Sequence, residues 1–302
     1  MSFPRQVLAG TTYLVTRRCT QRQFLLRPDR DTNNAFVYCL AYAALKAQVD
    51  VIAFVANANH YHAVVVDKHG TIPKFLEIFH KLLAKHQNAL RGRWENLWST
   101  EQTSLVELVG PEDIFAKVIY TLTNPVKDHL VERAHHWPGA SSLDATTHGK
   151  TFTARRPLKF FRNNGEMPEQ LELRCVRPPG FESLSPVNYH ERIQHAVSEV
   201  EGSAAAERRI SGRRILGRRA VLDQNPTDRP QSKEPRRQLD PRVGARERWP
   251  RIEALQRLKI FRAAYAAARD AWLGDPKTIF PPGTWWLRRF AAVACAAVPT
   301  PA

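Results

Sequence analysis

The stretch NANHYHAVVVD, residues 57–67, places His60 and His62 one residue apart at the head of a run of valines. In a β-strand, residues two apart point to the same side and lie roughly 6.5–7 Å apart along the chain. The two imidazoles therefore project together, and Tyr61 projects the other way. Two imidazoles on one side of a rigid strand can converge on one metal ion. Taken alone, such a pair is more often two satisfied histidines on a half-exposed sheet, because so short a motif is weak evidence.

A second stretch, VIYTLTNPV at 118–126, sets Tyr120 and Asn124 four apart and so on one face of a helix. Tyr120 offers a phenol oxygen. Asn124 offers an amide oxygen that can ligate a hard cation. An ordinary core tyrosine and a helix-ending asparagine before Pro125 would read the same way. His80, His86, His135 and His136 match no ligand spacing as clearly as His60 and His62 do.

Together the stretches resemble the single-tyrosine HUH transposases, in which a His-hydrophobic-His strand is followed well downstream by a helix bearing Y…NPV. The resemblance is closest to the REP-associated tyrosine transposases and related enzymes of small insertion sequences. It is carried by TYLVTRRCTQRQ at the first strand, NANHYHAVVV, YTLTNPVKDHLV, and HHWPGASS at 135–142, and it covers residues 8–143. Each piece is unspecific; the joint pattern is specific. Tyr61 departs from the aliphatic residue common between the histidines, and Asp128 and His129 stand where relatives tend to have small residues.

The resemblance implies an enzyme that cuts and rejoins single-stranded or hairpin DNA. Tyr120 would be the nucleophile and a covalent 5′-phosphotyrosine the intermediate. His60, His62 and Asn124 would hold a divalent cation, Mg²⁺ or Mn²⁺. Relatives include monomers and homodimers. Lys117 shares the helical face of Tyr120, and Lys81, Lys85, Arg91 and Arg93 lie on or just beyond the second helix. All five are candidate DNA-phosphate contacts, and each is equally a solvated surface charge. A domesticated relative acting on chromosomal hairpin repeats would carry the same residues. A non-catalytic single-strand-binding protein on the same fold is the alternative of a different class.

The elements that must position these residues follow from hydrophobic periodicity. Residues 11–19, 49–57, 60–67 and 103–109 read as strands. Residues 31–48, 71–92 and 110–126 read as helices, the last stopping before Pro125 because proline disfavours helical geometry in the residue before it. The first six elements follow the β-α-β-β-α-β order of a split βαβ, or ferredoxin-like, α+β fold: an antiparallel sheet with helices on one face. The third helix packs on afterwards, and 127–145 reads as a closing tail.

The whole chain has 302 residues, with 45 Lys+Arg against 29 Asp+Glu and a formal charge of +16. That excess favours an acidic partner, of which a nucleic-acid backbone is the commonest. No segment has the roughly 20 apolar residues a membrane span needs, and the N-terminus lacks the apolar core of a secretory signal. The four scattered cysteines read as reduced thiols in a cytoplasmic protein. Residues 1–145 are expected to form the catalytic domain and 146–302 a basic extension. Within it, 201–251 hold 14 basic and 7 acidic residues, so about 200–250 is expected to be a poorly ordered arm and 252–272 a helix. Trp94, Trp98, Trp285 and Trp286 are candidates for stacking on unpaired bases, with burial in a core the ordinary alternative.

Overall fold

Alternating apolar residues in the first half produce a sheet, and amphipathic segments produce the helices that cover it. The computed structural model describes residues 4–232 and 241–298. In chain order the first half contains β1 (Thr11–Arg18), α1 (Arg30–Ala47), β2 (Val49–Ala56), β3 (His60–Asp67), α2 (Ile72–Arg91), β4 (Ser104–Leu108) and α3 (Pro111–Lys127). Each lies within a residue or so of the span its periodicity predicts. The strands pair antiparallel in the order β2-β3-β1-β4, the order a split βαβ unit generates.

The two faces of the sheet have separate cores. Tyr13, Val15, Phe54 and Tyr61 pack against Phe36 of α1 and Phe75 and Phe79 of α2. Leu14, Val64 and Val106 pack against Val118, Leu122 and Val126 of α3. Helices α1 and α2 thus share one face, and α3 covers the other.

Two sequence expectations are corrected. Pro125 lies inside α3 rather than ending it. Proline supplies no N–H to the carbonyl one turn back, but here only the last turn is affected. Beyond it the helix end is closed by Leu130, whose N–H donates to the Pro125 carbonyl at 2.9 Å. The second correction concerns the basic extension, which is built into the sheet's own cores. It contains α4 (Leu143–His148), β5 (Phe152–Arg155), β6 (Gln170–Leu173), α5 (Pro186–Ser211), α6 (Arg218–Leu222), β7 (Val243–Gly244), α7 (Arg248–Trp272) and α8 (Trp286–Phe290). The β5–β6 hairpin adds Ala154, Leu171 and Leu173 to the α1/α2 core. Helix α5 adds Tyr189, Ile193 and Val197 to the α3 core. Strand β7 joins the sheet parallel to β4, making five strands. The stretch expected to be poorly ordered therefore contains the end of α5, all of α6 and β7; residues 233–240 fall outside the described residues.

All four cysteines are free thiols, and burial pushes the Cys19 and Cys39 thiols far above their ordinary range. Among the described residues no helix is long and apolar enough to cross a membrane.

Candidate active site

Strand geometry delivers the histidine pair as its spacing predicts. His60 and His62 lie on the α3 face of β3 with their ring centroids 4.9 Å apart. Tyr61 faces the other way, fully buried, with its hydroxyl 2.6 Å from His80 Nε2. Burial and the nearby Arg17 charge hold the His80 pKa well below its ordinary value, so it is neutral there. On β1, Thr16 stands directly across from His62, and its Oγ1 lies 2.7 Å from His62 Nδ1.

Helix α3 brings the second group. Val118, Leu122 and Val126 form its buried stripe against the sheet. Lys117, Tyr120, Asn124 and Lys127 follow at intervals of three, four and three, which forms an adjoining stripe along the helix. The Tyr120 ring lies 5.1 Å from the His62 ring, edge to face. The Asn124 Nδ2 donates to the Tyr120 hydroxyl at 3.5 Å. Lys117 and Lys127 carry their ammonium groups 5.4 and 5.6 Å from the Tyr120 ring centroid.

The two groups meet through Asn57, which the sequence places at the end of the 49–57 strand with no chemical role. Asn57 is 1% exposed. Its Nδ2 donates to His60 Nε2 at 3.0 Å and also to Asn124 Oδ1. The Asn59 Oδ1 sits 2.7 Å from His60 Nδ1. An amide oxygen only accepts, so the His60 proton resides on Nδ1 and its lone pair on Nε2, directed at Asn57. The lone pairs of an imidazole and an amide oxygen therefore converge on one buried donor. The Asn57 Oδ1 itself is buried and has no hydrogen-bond partner among the described residues.

His60, His62, Tyr120, Asn124 and Lys127 line a cleft of about 340 Å³. His62, Tyr120 and Lys117 also line an adjoining cleft of about 310 Å³. Tyr120 stands at the junction of the two. Among the described residues no three His, Cys, Asp or Glu side chains converge as a metal cluster. Any cation here would take oxygen from an amide, substrate or water besides the two imidazoles.

The other candidates are not brought to this site. Lys81, Lys85 and Arg91 belong to α2, on the opposite face of the sheet. Arg91 is committed to Asp29 at 2.6 Å and to Thr32, and Lys85 lies over the Phe160 ring. Arg93 donates to Gln23. Trp98 is a core residue, donating through Nε1 to the His80 carbonyl under Arg17. Trp94 is exposed and lines neither cleft.

The segment after α3 holds the edge of the site. Trp137 Nε1 donates to the Ala56 carbonyl at 3.0 Å, and residues 140–142 run along β2. A Cβ at Gly139 would sit 2.4 Å from Trp137 Nε1 and 2.7 Å from the Ala56 oxygen, so only glycine permits this approach.

No protein-family model matches the sequence, and no curated protein matches it. Solved structures that align with part of the chain include the following two. A REP-associated tyrosine transposase bound to a REP hairpin aligns with 56% of this chain and 96% of its own, at 16% identity and a TM-score of 0.42. A protein of Deinococcus radiodurans R1 assigned as a transposase aligns with 41% of this chain and 97% of its own, at 16% identity and a TM-score of 0.29.

Proposed function

We propose that this protein is a transposase-type nuclease that cuts and rejoins single-stranded or hairpin DNA through Tyr120. The observation that carries the reading is the convergence of His60, His62 and Asn124 beside the phenol of Tyr120, on a chain of charge +16. An anionic phosphodiester repels nucleophiles, and the clefts around Tyr120 are lined by basic groups that attract it.

The residues fit a divalent cation, Mg²⁺ or Mn²⁺. The lone pairs of His60 Nε2 and Asn124 Oδ1 already converge on a polarised N–H group, the kind of partner a cation replaces. The partnerless Asn57 Oδ1 beside them is a further oxygen within the same cluster. With its proton on Nδ1 toward Thr16, His62 would present Nε2 in the same way. Bound there, the cation would polarise the scissile phosphate and offset its developing charge.

Tyr120 attacks the phosphorus. Its O–P bond forms as the bond from phosphorus to the 3′ oxygen breaks, and the phenol proton ends on that oxygen. The products are a 5′-phosphotyrosine and a free 3′-hydroxyl. A free phenol has a pKa of about 10, so charge must develop on its oxygen during attack. Lys117 and Lys127 flank the ring and favour that charge electrostatically. Asn124 donates to the hydroxyl and orients it. Attack by another 3′-hydroxyl on the phosphotyrosine regenerates a phosphodiester and the free phenol without ATP.

The test is to incubate the protein with a labelled pool of hairpin DNA of randomised sequence and Mn²⁺, then resolve the products under denaturing conditions. A protein–DNA adduct is expected for the wild type and none for Tyr120→Phe. His60→Ala should lose the adduct while retaining most DNA binding. An adduct that persists in Tyr120→Phe refutes the nucleophile.

A further inference from the structure

The cleft at Tyr120 does not end at the active site. Arg17, Glu101 and Gln102 line both that cleft and a trough of about 940 Å³ beyond it. The path turns round the start of β4, from the α3 face of the sheet to the edge near α2. The far wall of the trough belongs to the C-terminal extension: Arg269, Trp285, Trp286 and Phe290. From these features we infer that the trough is a second DNA-binding site, holding unpaired nucleotides that flank the strand bound at Tyr120. The inference rests on the reading of the chain as a DNA-processing enzyme.

The rings are presented rather than buried. Trp286 is 64% exposed and Phe290 57% exposed, with ring centroids 4.2 Å apart. The platform beneath them is fixed. Phe280 exchanges backbone hydrogen bonds with the 294–296 segment and packs with Ala268 and Val293 in a small core of its own. The Val7 N–H donates to the Gly283 carbonyl at 3.0 Å, tying the platform to the N-terminal segment. Gly283 adopts a φ of +86°, and a Cβ there would meet Gln6 Cγ at 2.6 Å. Exposed rings on an ordered support are a stacking surface, and any base has a π-face to stack.

Charge and shape select the occupant. Among the described residues, eight basic and three acidic side chains line the two clefts and the trough. The Arg289 guanidinium lies 5.1 Å from the Trp285 centroid, so cations and rings are interleaved. A duplex has a persistence length of about 150 base pairs and cannot follow a path that rounds a strand end. A single strand can.

The test uses the full chain carrying Tyr120→Phe, in EDTA, so that binding is read without chemistry. A labelled oligothymidylate of about 20 nucleotides, enough to span more than one site, is titrated by fluorescence anisotropy. Replacing Trp286 and Phe290 together by alanine should weaken binding roughly tenfold. Blunt duplex should compete poorly, and photo-crosslinks from iodouridine should map to Trp285, Trp286 or Phe290. Should the double variant melt early, Arg269→Glu serves in its place with the same expected direction. Affinity unchanged within twofold, or crosslinks confined elsewhere, overturns the inference. So does a variant that alters self-association in sedimentation while leaving DNA affinity intact, since the trough would then be a protein interface. The outcome is independent of adduct formation by the wild type, so failure of the trough and failure of the proposed chemistry are told apart.

Discussion

Asn57 shows how a residue can be invisible in sequence and central in space. In NANH it has the composition of a turn, and turns favour asparagine for its local hydrogen bonding. Its burial removes it from that class, because a buried amide must find partners. Half of the amide does so, bridging His60 and Asn124; the other half, Oδ1, is buried and unpaired. Leaving such an acceptor unsatisfied costs about 1–3 kcal/mol. Turning the amide about its bond to Cβ would offer that oxygen to a cation at the site. Asn57→Ala should therefore weaken Mn²⁺ binding about tenfold, as loss of a supporting residue at metal sites typically does. Titration calorimetry of the DNA-free protein measures this, and unchanged or tighter binding would contradict it. Strand and helix periodicities fix which side chains share a face, His60 with His62 and Tyr120 with Asn124; that the two pairs belong to one site came from the resemblance. Lys127 could have been read from the same α3 stripe as Lys117. Thr16 could not, since its role depends on strand register, and Asn57 could not, since its role depends on a helix distant in sequence.

At the scale of elements, α2 carries a titratable liability on its buried face. Burial holds the His86 pKa down to about 4 and that of His80 well below its ordinary value. In the unfolded chain both titrate near 6.5. Below that pH the unfolded state takes up protons that the folded state refuses. Stability complete at neutral pH is therefore lost as pH falls from about 6.5 toward about 4. The loss from His86 alone is on the order of 2–3 kcal/mol. Urea midpoints at neutral and mildly acidic pH should show the drop, and His86→Gln should shrink it; an identical pH dependence in the variant would rule His86 out. The spans of α2 and α3 were readable because their apolar stripes repeat at the helical period. At Asn124 the pre-proline bias against helical geometry is overridden, and α3 runs on through Pro125 to Lys127.

At the scale of the molecule, the change of composition near residue 145 is crossed by packing, since residues beyond it enter both cores of the sheet. Helix α5 is dilute in apolar residues, yet Tyr189, Ile193, Val197 and Ala204 fall on one stripe and are buried. Burying Ile193 and Val197 contributes about 1.5–3 kcal/mol each, a large fraction of the roughly 5–15 kcal/mol that holds a domain folded. A chain cut after residue 145 should therefore melt well below the full chain or aggregate; equal melting temperatures would show that the extension is dispensable. The two-residue β7 leaves no periodicity to detect, so its place beside β4 emerges only from the assembled sheet. The same assembly brings a phenol from α3 against imidazoles from β3, and the DNA-cutting role rests on that meeting. Peptide mass spectrometry of the protein after reaction with hairpin DNA, Mn²⁺ and nuclease tests it most directly. The account predicts a nucleotide joined through its 5′ phosphate to Tyr120. A nucleotide on any other residue, or cleaved DNA with no modified peptide, would contradict it.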